Sequence, residues 1–480
     1  MKNFFFRNLI FLVSSLLLSA VPSQAQKYHF YRNDGKHNVY DASRIDSMTF
    51  TEGNATVKGK TKIYFKSKAF FDVSHAHIDS ITFGDRGEVA QLTIRTENNV
   101  PVDSKENYVS CTLSMDGKNM FADYEGVGRI RGRGNSTWAW YPKKPYRIKL
   151  NESSPMLGLD KNKDWLLLAN YRDPTFLMNS FAFELGDYLG MPFTNHSRFC
   201  RVELNGQDLG LYLLTEQIET GGNRVDISET KGVILSLDLD DGPGLSPGAT
   251  DNFFSKKWGV PVCIKFPKDE ALTPEVKQSI EDDFASLEQL MDEHIYANVS
   301  KRIDLKSLMN FLIVQEMTRN VELEAPRSMY MYMDSLRVWH FGPLWDFDAG
   351  FDFDWGQMYT GHNYFGTYEG LIMGTDPAQP GSGWNVSMFF RRIFRSKEFV
   401  AEYKAYWNRI KDMMLPQVFE KLENYKLQIE ESMRDNYTLW SGIDSNFDKQ
   451  FDTEYERLKT WLVNRLQVLD KGINAYPPGR

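Results

Sequence analysis

Strand-like segments dominate the chain up to about residue 220, whereas segments with helical periodicity dominate from Thr273 onward. In the first part, apolar and polar residues alternate over short stretches, which is typical of strands with one buried face. These predicted strands cover residues 92–96, 108–115, 127–131, 145–150, 198–204 and 209–216, the last two joined by the hairpin turn Asn205-Gly206. Strands first and helices second favour an α+β fold with separate layers of sheet and helix.

Three further features complete the predicted secondary structure. Apolar residues at helical spacing predict helices over residues 174–189, 305–318 and most of 389–473. A strand pair is predicted inside the helical part, at Met329–Met333 and residues 336–341. Residues 238–251 are rich in Gly, Pro and Asp, so we expect a mobile loop there.

The N-terminus has the three parts of a secretory signal peptide. Lys2 and Arg7 precede an apolar stretch over residues 9–18, and the small residues Ser23 and Ala25 offer a cleavage site. The apolar stretch is about half the roughly 20 residues that a membrane span needs, so we expect cleavage near Ala25. We therefore predict a signal peptide over residues 1–25 and an exported, soluble mature chain without a transmembrane span. Its destination would be the periplasm, the cell surface or the medium.

Composition limits the other function classes. The mature chain would keep about 455 of the 480 residues, too many for one ordinary core, which favours two or three domains. Its formal charge would be −10, compared with −8 for the full chain, and this mild acidity argues against a nucleic-acid partner. The three cysteines, Cys111, Cys200 and Cys263, fit neither a disulfide framework nor a zinc site, and we expect buried thiols.

A short repeat follows the signal peptide. The sequence IDS(M/I)TF occurs at residues 45–50 and again at 78–83, which predicts a small β-repeat region over residues 26–87 that ends in a Gly-rich linker. The two repeats in this chain resemble repeats that precede larger domains in exported proteins of Bacteroides-like bacteria. We therefore expect them to act as a spacer or docking element. His75 and His77 lack nearby carboxylate or thiol spacing, so we interpret them as solvent-facing strand histidines.

A glycine-rich, basic run is the first segment that indicates chemistry. It reads RGRGNSTW from Arg131 and is followed by KKPYRIKL from Lys143. Glycines allow backbone amides to approach an anion closely, and in a strand after Pro145 the side chains of Arg147 and Lys149 share one face. These are parts of a phosphate-binding site, although a basic hairpin on a solvated surface is the alternative. The GxxxxGK[ST] motif of a P-loop is absent.

The second such segment is acidic. Asp346, Asp348, Asp352 and Asp354 occur at alternate or near-alternate positions in GPLWDFDAGFDFD. In an extended chain alternate side chains point to the same side, so Asp346 and Asp348 could together face a hard cation such as Mg²⁺. An exposed acidic strand edge is the alternative. We favour the metal site because the flanking aromatic residues would bury part of the segment, and buried carboxylates without a partner are unfavourable.

A basic cradle followed about 200 residues later by an acidic metal site is the chain order of a kinase-like fold. The segments RGRGNSTW…KKPYRIKL, the WLLLANYRDPTFLMNSFAFELGDYLG helix, LNGQDLGLYLLTEQI and GPLWDFDAGF resemble motifs of the CotH (spore-coat protein H) kinase family, in the same order. The resemblance implies an atypical protein kinase with a β-rich N-lobe at about 88–220 and a helical C-lobe at about 270–480. It would transfer phosphate from ATP to serine of exported partner proteins, with Mg²⁺ or Mn²⁺.

The resemblance also implies roles for individual residues. Asp346 would be the principal metal ligand and Asp348 the second. The phosphate loop would comprise Gly132, Gly134, Asn135 and Ser136, with Lys144 or Lys149 on the phosphates and Glu216 near the nucleotide hinge. Glu184 would pair with that lysine, or would be a solvated charge on the face of its helix.

The catalytic position departs from the family pattern. Relatives show Asn-x-Asp where this chain has Asn320-Val321-Glu322. Glu322 could still accept a substrate proton, but its extra methylene moves the carboxylate, and such a displacement can cost about 10²-fold in rate. A noncatalytic binding or scaffold module therefore stays as the alternative, with aromatic residues of 351–368 offering faces for a glycan or peptide. A glycoside hydrolase is a more distant alternative.

Overall fold

The computed structural model describes residues 27–32, 37–51, 59–84, 89–118, 120–323, 325–353, 364–379, 387–440 and 450–479. Its contacts divide the chain into two units, Met1–Gly87 and Glu88–Arg480. Sheets and helices both contribute large parts of the chain, so the α+β prediction is confirmed.

The first unit consists of short antiparallel strands: β1 (Lys27–Arg32), β2 (His37–Asp41), β3 (Ile45–Thr51), β4 (Lys60–Phe65), β5 (Phe70–Ser74) and β6 (Ile78–Gly84). They form two three-stranded sheets, in the orders β2-β1-β6 and β3-β4-β5. The two copies of the repeated sequence are β3 and β6, and each pairs with the hairpin that belongs to the other copy. His75 and His77 are exposed as expected, but they lie in a 3₁₀ turn, His75–His77, and not in a strand.

A closed barrel opens the second unit. Its strands are β7 (Ala90–Thr96), β8 (Val109–Asp116), β9 (Tyr124–Gly132), β10 (Tyr146–Met156), β11 (Leu159–Leu168), β12 (Ser197–Leu204) and β13 (Gln207–Glu216), in the order β10-β11-β13-β12-β7-β8-β9. The parallel pair β7–β12 brings the first strand of the barrel beside the β12–β13 hairpin, and the β9–β10 pair closes the ring. The strands between residues 90 and 216 therefore form a seven-stranded barrel, whereas the kinase-type N-lobe expected at about 88–220 stays a prediction. The prediction that a helix begins at the sequence WLLL was wrong, because these residues, 165–168, form the end of β11.

Two helices are inserted in the barrel sequence. The short α1 (Ser136–Trp140) lies between β9 and β10, and α2 (Met178–Leu189) follows β11, close to the predicted 174–189. Asp173 accepts hydrogen bonds from the amides of Thr175 and Met178, which satisfies donors at the start of α2. Burial raises the pKa of Asp173 to about 6.

A second sheet of five antiparallel strands was only partly predicted. It contains β14 (Val233–Leu237), β15 (Asn252–Phe254), β16 (Pro261–Phe266), β17 (Met329–Met333) and β18 (Trp339–Phe341), in the order β15-β16-β14-β17-β18. The predicted pair β17–β18 is confirmed, although β18 is shorter than 336–341. The first three strands lie in stretches for which the sequence predicted no element, on either side of the loop expected at 238–251, where turns connect β14 to β15.

Among the described residues, the helices that follow α2 in the second unit are α3 (Pro274–Glu293), α4 (Tyr296–Val299), α5 (Leu305–Met317), α6 (Ser387–Arg391), α7 (Lys397–Leu439) and α8 (Phe451–Asn474). One continuous apolar core joins α2, α5, α7 and α8 to the barrel and the five-stranded sheet. Cys111, Cys200 and Cys263 are buried free thiols, as predicted. Within the described residues, no helix combines the length and apolar character needed to cross a membrane.

Candidate active site

The two aspartates predicted as metal ligands lie next to each other just after β18. Asp346 has a left-handed backbone, with φ 63° and ψ 63°, and Phe347–Ala349 form a 3₁₀ turn. The segment is therefore not the extended strand that the sequence suggested, but Asp346 and Asp348 still line one cavity. Burial, and then the negative charge of Asp348, raise the pKa of Asp346 well above its usual value.

Neighbouring elements hold this segment in place. The amide of Phe347 donates to Oδ1 of Asn179 on α2 at 2.9 Å, and the hydroxyl of Tyr364 donates to the carbonyl of Asp348 at 2.6 Å. The Ser328 hydroxyl lies 3.4 Å from Oδ2 of Asp346. Both ends of the carboxylate pair are thus tied to other parts of the fold.

Arg133, which the sequence analysis did not select, is the cation that the glycine-rich loop brings to the carboxylates. Its guanidinium lies 5.4 Å from the ring centre of Trp345. Burial lowers the pKa of Arg133, whereas the charges of Asp346 and Asp348 oppose that effect. The sequence signal for Arg133 was the alternation of Arg and Gly in RGRGN, which places a cation directly beside each glycine. In the structure, residues 131 and 133 flank the buried Gly132.

The loop itself is shaped by its glycines. The Gly132 amide donates to the carbonyl of Ser104 at 2.8 Å, so this amide is occupied within the barrel, and a phosphate contact from it would require that bond to break. A Cβ on Gly132 would lie 2.4 Å from the Trp138 ring. Gly134 has φ +85°, a conformation that favours glycine, and it leads into Asn135 and Ser136 at the start of α1.

The predicted pair between a lysine and Glu184 is replaced by other partners. Lys144 donates to the carbonyl of Trp138, and Lys149 lies 3.5 Å from a carboxylate oxygen of Asp164 on β11. Glu184 instead contacts Lys421, at 3.4 Å, on α7. This difference arises because Glu184 occupies the face of α2 that packs on α7.

Asp164 forms ion pairs with the two positively charged side chains on one face of β10. Arg147 binds it through two nitrogens, at 2.9 and 2.5 Å, in addition to the contact from Lys149. The alternation predicted for this strand is confirmed, because Tyr146, Ile148 and Leu150 are buried while Arg147 and Lys149 are not. The structure thus places two cations on one face of the strand.

Glu216 lies at the end of β13 and is 1% exposed. Its carboxylate accepts from the amide of His196 at 2.5 Å and lies 3.0 Å from Nδ1 of the same residue and 3.6 Å from Arg224. These contacts fix the chain where it leaves the barrel. A nucleotide contact from Glu216 stays a prediction.

Glu322 lies close enough to the carboxylate pair for their charges to interact. It lies in the 3₁₀ turn Val321–Leu323 after α5 and is 5% exposed. Burial, and then the charges of Asp346 and Asp348, raise its pKa well above the usual value, whereas Arg327 opposes the rise. Three residues predicted from two sequence segments therefore interact in the folded chain.

Asp238 is a further acid at this site that sequence reasoning missed. It follows β14 directly, is 5% exposed, and accepts from the amide of Ser328 at 2.9 Å. Burial raises its pKa, and its charge adds to that of the other carboxyls around Glu322 and Asp346. The signal was an aspartate at the end of the apolar run VILSL, but the run had not been assigned to a strand.

The other acids and aromatics of this region have structural contacts. Asp352 forms an ion pair with Arg319, and Tyr364 is buried. Asp354, Trp355 and Tyr359 lie outside the described residues. The glycan or peptide surface suggested for residues 351–368 therefore stays a prediction.

The donor set fits a magnesium-type ion. The cavity beside the carboxylates has a volume of about 40 Å³, enough for an ion or a few water molecules, and is lined by the glycine-rich loop, residues 168–173, Asn179 and the aspartate pair. Across the described ranges, no group of three or more His, Cys, Asp or Glu side chains forms a ready-made metal centre. Two carboxylates are nevertheless what Mg²⁺ usually takes from a protein, because phosphate oxygens and water supply the other ligands.

Glu322→Gln should make the protein more stable at pH 8. Because the folded-state pKa of Glu322 is raised, its favourable contribution is complete below about pH 4.5 and is lost as the pH rises through the folded-state value. A neutral amide avoids that loss, and we expect about 1–3 kcal/mol of added stability at pH 8. Urea unfolding at several pH values measures the effect. A variant less stable than the wild type at pH 8 would contradict this electrostatic account.

Comparison with protein families matches residues 130–469 to the family described as CotH kinase protein. A search of curated proteins gives no match. The matched range begins in β9, contains the glycine-rich loop, Glu322 and the aspartate pair, and covers more than half of the chain. The chain therefore belongs to the CotH kinase protein family.

Proposed function

We propose that this protein is an exported atypical kinase that transfers phosphate from ATP to serine side chains of partner proteins, with Mg²⁺ or Mn²⁺. The observation that carries the proposal is that Glu322, which is 5% exposed, lies close enough to Asp346 and Asp348 for their charges to interact, with Arg133 of the glycine-rich loop beside the pair. Family membership supports an atypical kinase with a nucleotide and a divalent metal. A signal peptide over 1–25, a repeat region over 26–87, and lobes at about 88–220 and 270–480 belong to the same proposal.

The residues would divide the work as follows. Asp346 and Asp348 would hold the metal, which when bound neutralises charge on the transferred phosphate. Arg133 is a cation already at that position, while Gly134, Asn135, Ser136, Lys144 and Lys149 would serve the rest of the triphosphate. Glu322 would orient the serine hydroxyl and accept its proton, and a raised pKa brings a carboxylate closer to the value suited to a base at neutral pH.

Binding of ATP with metal is the first test. At a free ligand concentration of 100 times Kd, a real site stabilises the folded chain by about 2.7 kcal/mol, so Tm should rise with ATP and Mg²⁺ or Mn²⁺ present together. Asp346→Asn should lose most of this shift, whereas Glu152→Gln, which changes an exposed carboxylate on β10, should keep it. No shift in the wild type, or an equal shift in Asp346→Asn, would contradict the proposed site.

One observation favours the noncatalytic alternative. A buried Glu322 with a strongly raised pKa holds its proton more tightly, and a protonated carboxyl cannot accept another one. Under that alternative the protein would bind nucleotide, or another ligand, without transferring phosphate. Measuring binding and transfer on the same preparation separates the two functions.

A further inference from the structure

Asn179 on α2 makes a polar contact with Phe347, the residue between Asp346 and Asp348. It is the second residue of α2 and is 5% exposed. The amide of Phe347 donates to its Oδ1 at 2.9 Å, and because an N–H needs an acceptor, the oxygen must face Phe347. The Nδ2 group then points to Oδ1 of Asn170, at 3.4 Å.

This contact acts on the backbone that aims the first aspartate. Asp346 has φ 63° and ψ 63°, in the left-handed region that non-glycine residues adopt at a cost. The Phe347 amide belongs to the peptide unit that follows Asp346, so its hydrogen bond to Asn179 restrains ψ of Asp346 directly. The direction of the Asp346 carboxyl therefore depends on the side chain of Asn179.

Apolar packing brings α2 close enough for this bond. A Cβ on Gly186 would lie 2.5 Å from Cδ1 of Leu344, so the absence of a side chain there permits a close approach. The rings of Phe183 and Trp345 stack with centres 6.4 Å apart. These contacts place the whole segment. Between the two carboxylates, the Phe347 carbonyl accepts from the Gly350 amide at 3.2 Å within the turn, whereas Asn179 supplies the side-chain contact from another element.

We propose that Asn179 is a positioning residue that sets metal affinity by holding Asp346 in its left-handed conformation. The inference rests on the proposed metal-binding role of Asp346 and Asp348. Loss of a partner that orients a metal ligand typically weakens metal binding 10–100-fold. Glu184, which the kinase resemblance selected on the same helix, would not have this effect, because its carboxylate contacts Lys421 of α7.

The test compares two substitutions of similar size. Asn179→Leu removes the acceptor, and Asn179→Asp keeps an oxygen in the same place. Leu189→Ala, a buried change at the other end of α2, controls for loss of stability. Each full-length variant is titrated with Mn²⁺ in the presence of saturating non-hydrolysable ATP analogue, with free Mn²⁺ followed by electron paramagnetic resonance.

The inference predicts Mn²⁺ binding 10–100-fold weaker in Asn179→Leu, and no more than threefold weaker in Asn179→Asp and Leu189→Ala. Equal affinity in wild type and Asn179→Leu would overturn the inference while leaving the metal site intact. Weakening in Leu189→Ala to the same degree as in Asn179→Leu would also overturn it, because the effect would then follow stability. A wild type that binds no Mn²⁺ would overturn both this inference and the proposed function.

Discussion

Asp346→Asn will reduce phosphate transfer about 10²–10³-fold, the usual cost of removing a group that stabilises charge in the transition state. The amide keeps the size of the side chain and one oxygen but lacks the negative charge that a metal ion needs. The effect is expected on the rate of transfer from labelled ATP to a serine-rich protein, measured with Mg²⁺ and with Mn²⁺.

The matched control is Asp352→Asn. The same chemical change is made in the same segment, but at an acid whose ion-pair partner is Arg319. Asp352 has no role in the proposed metal site. We expect less than a threefold change in rate for a correctly folded Asp352→Asn protein. An Asp346→Asn enzyme that keeps more than about a tenth of the wild-type rate would remove Asp346 from the proposed chemistry.

Arg465→Met will destabilise the second unit by about 3–5 kcal/mol, the typical cost of breaking a buried ion pair by removing one partner. Arg465 on α8 and Glu316 on α5 are both 0% exposed, and Nη2 of Arg465 lies 2.8 Å from Oε2 of Glu316. The arginine also donates to the carbonyls of Glu316 and Tyr368, each at 2.8 Å. Methionine leaves the carboxylate buried without its counter-ion.

Urea unfolding measures this loss, with an unchanged m-value indicating that the same two states are compared. Arg434→Met serves as the control, because Arg434 forms an exposed ion pair with Glu430 on one face of α7 and should cost no more than about 0.5 kcal/mol. Similar losses in the free energy of unfolding of the two variants would contradict this account, because burial would then not increase the contribution of the Arg465–Glu316 ion pair to stability.

The predicted strands succeeded where alternation was regular and failed where it was not. Residues 146–150 have buried and half-exposed side chains in strict alternation, and they lie in β10. In contrast, β14 is a run of five buried residues, which periodicity alone cannot distinguish from a buried helical segment. Closure of the barrel was equally out of reach, since it depends on the parallel pairing of β7 with β12, more than 100 residues apart.

Short motifs selected acids that the fold brings close together, while their role in a functional site stays a prediction. Asp346, Asp348 and Glu322 were selected from two segments, and the fold brings their charges together. Asn179 and Arg133 were missed because their roles come from contacts with distant segments. Glu184 was selected from the kinase analogy, but the face of α2 that meets α7 is decided by packing, which the periodicity of one helix does not specify.

The central claim is that Glu322, Asp346 and Asp348 form a site for phosphate transfer. The most direct measurement is phosphoserine formation from ATP and Mn²⁺, detected by mass spectrometry of a serine-rich acceptor, for wild type and Glu322→Gln. The account predicts phosphoserine with the wild type, and with Glu322→Gln undiminished nucleotide binding but at least about 10²-fold slower transfer. No phosphoserine from a wild type that binds ATP, or equal transfer by the two proteins, would contradict it.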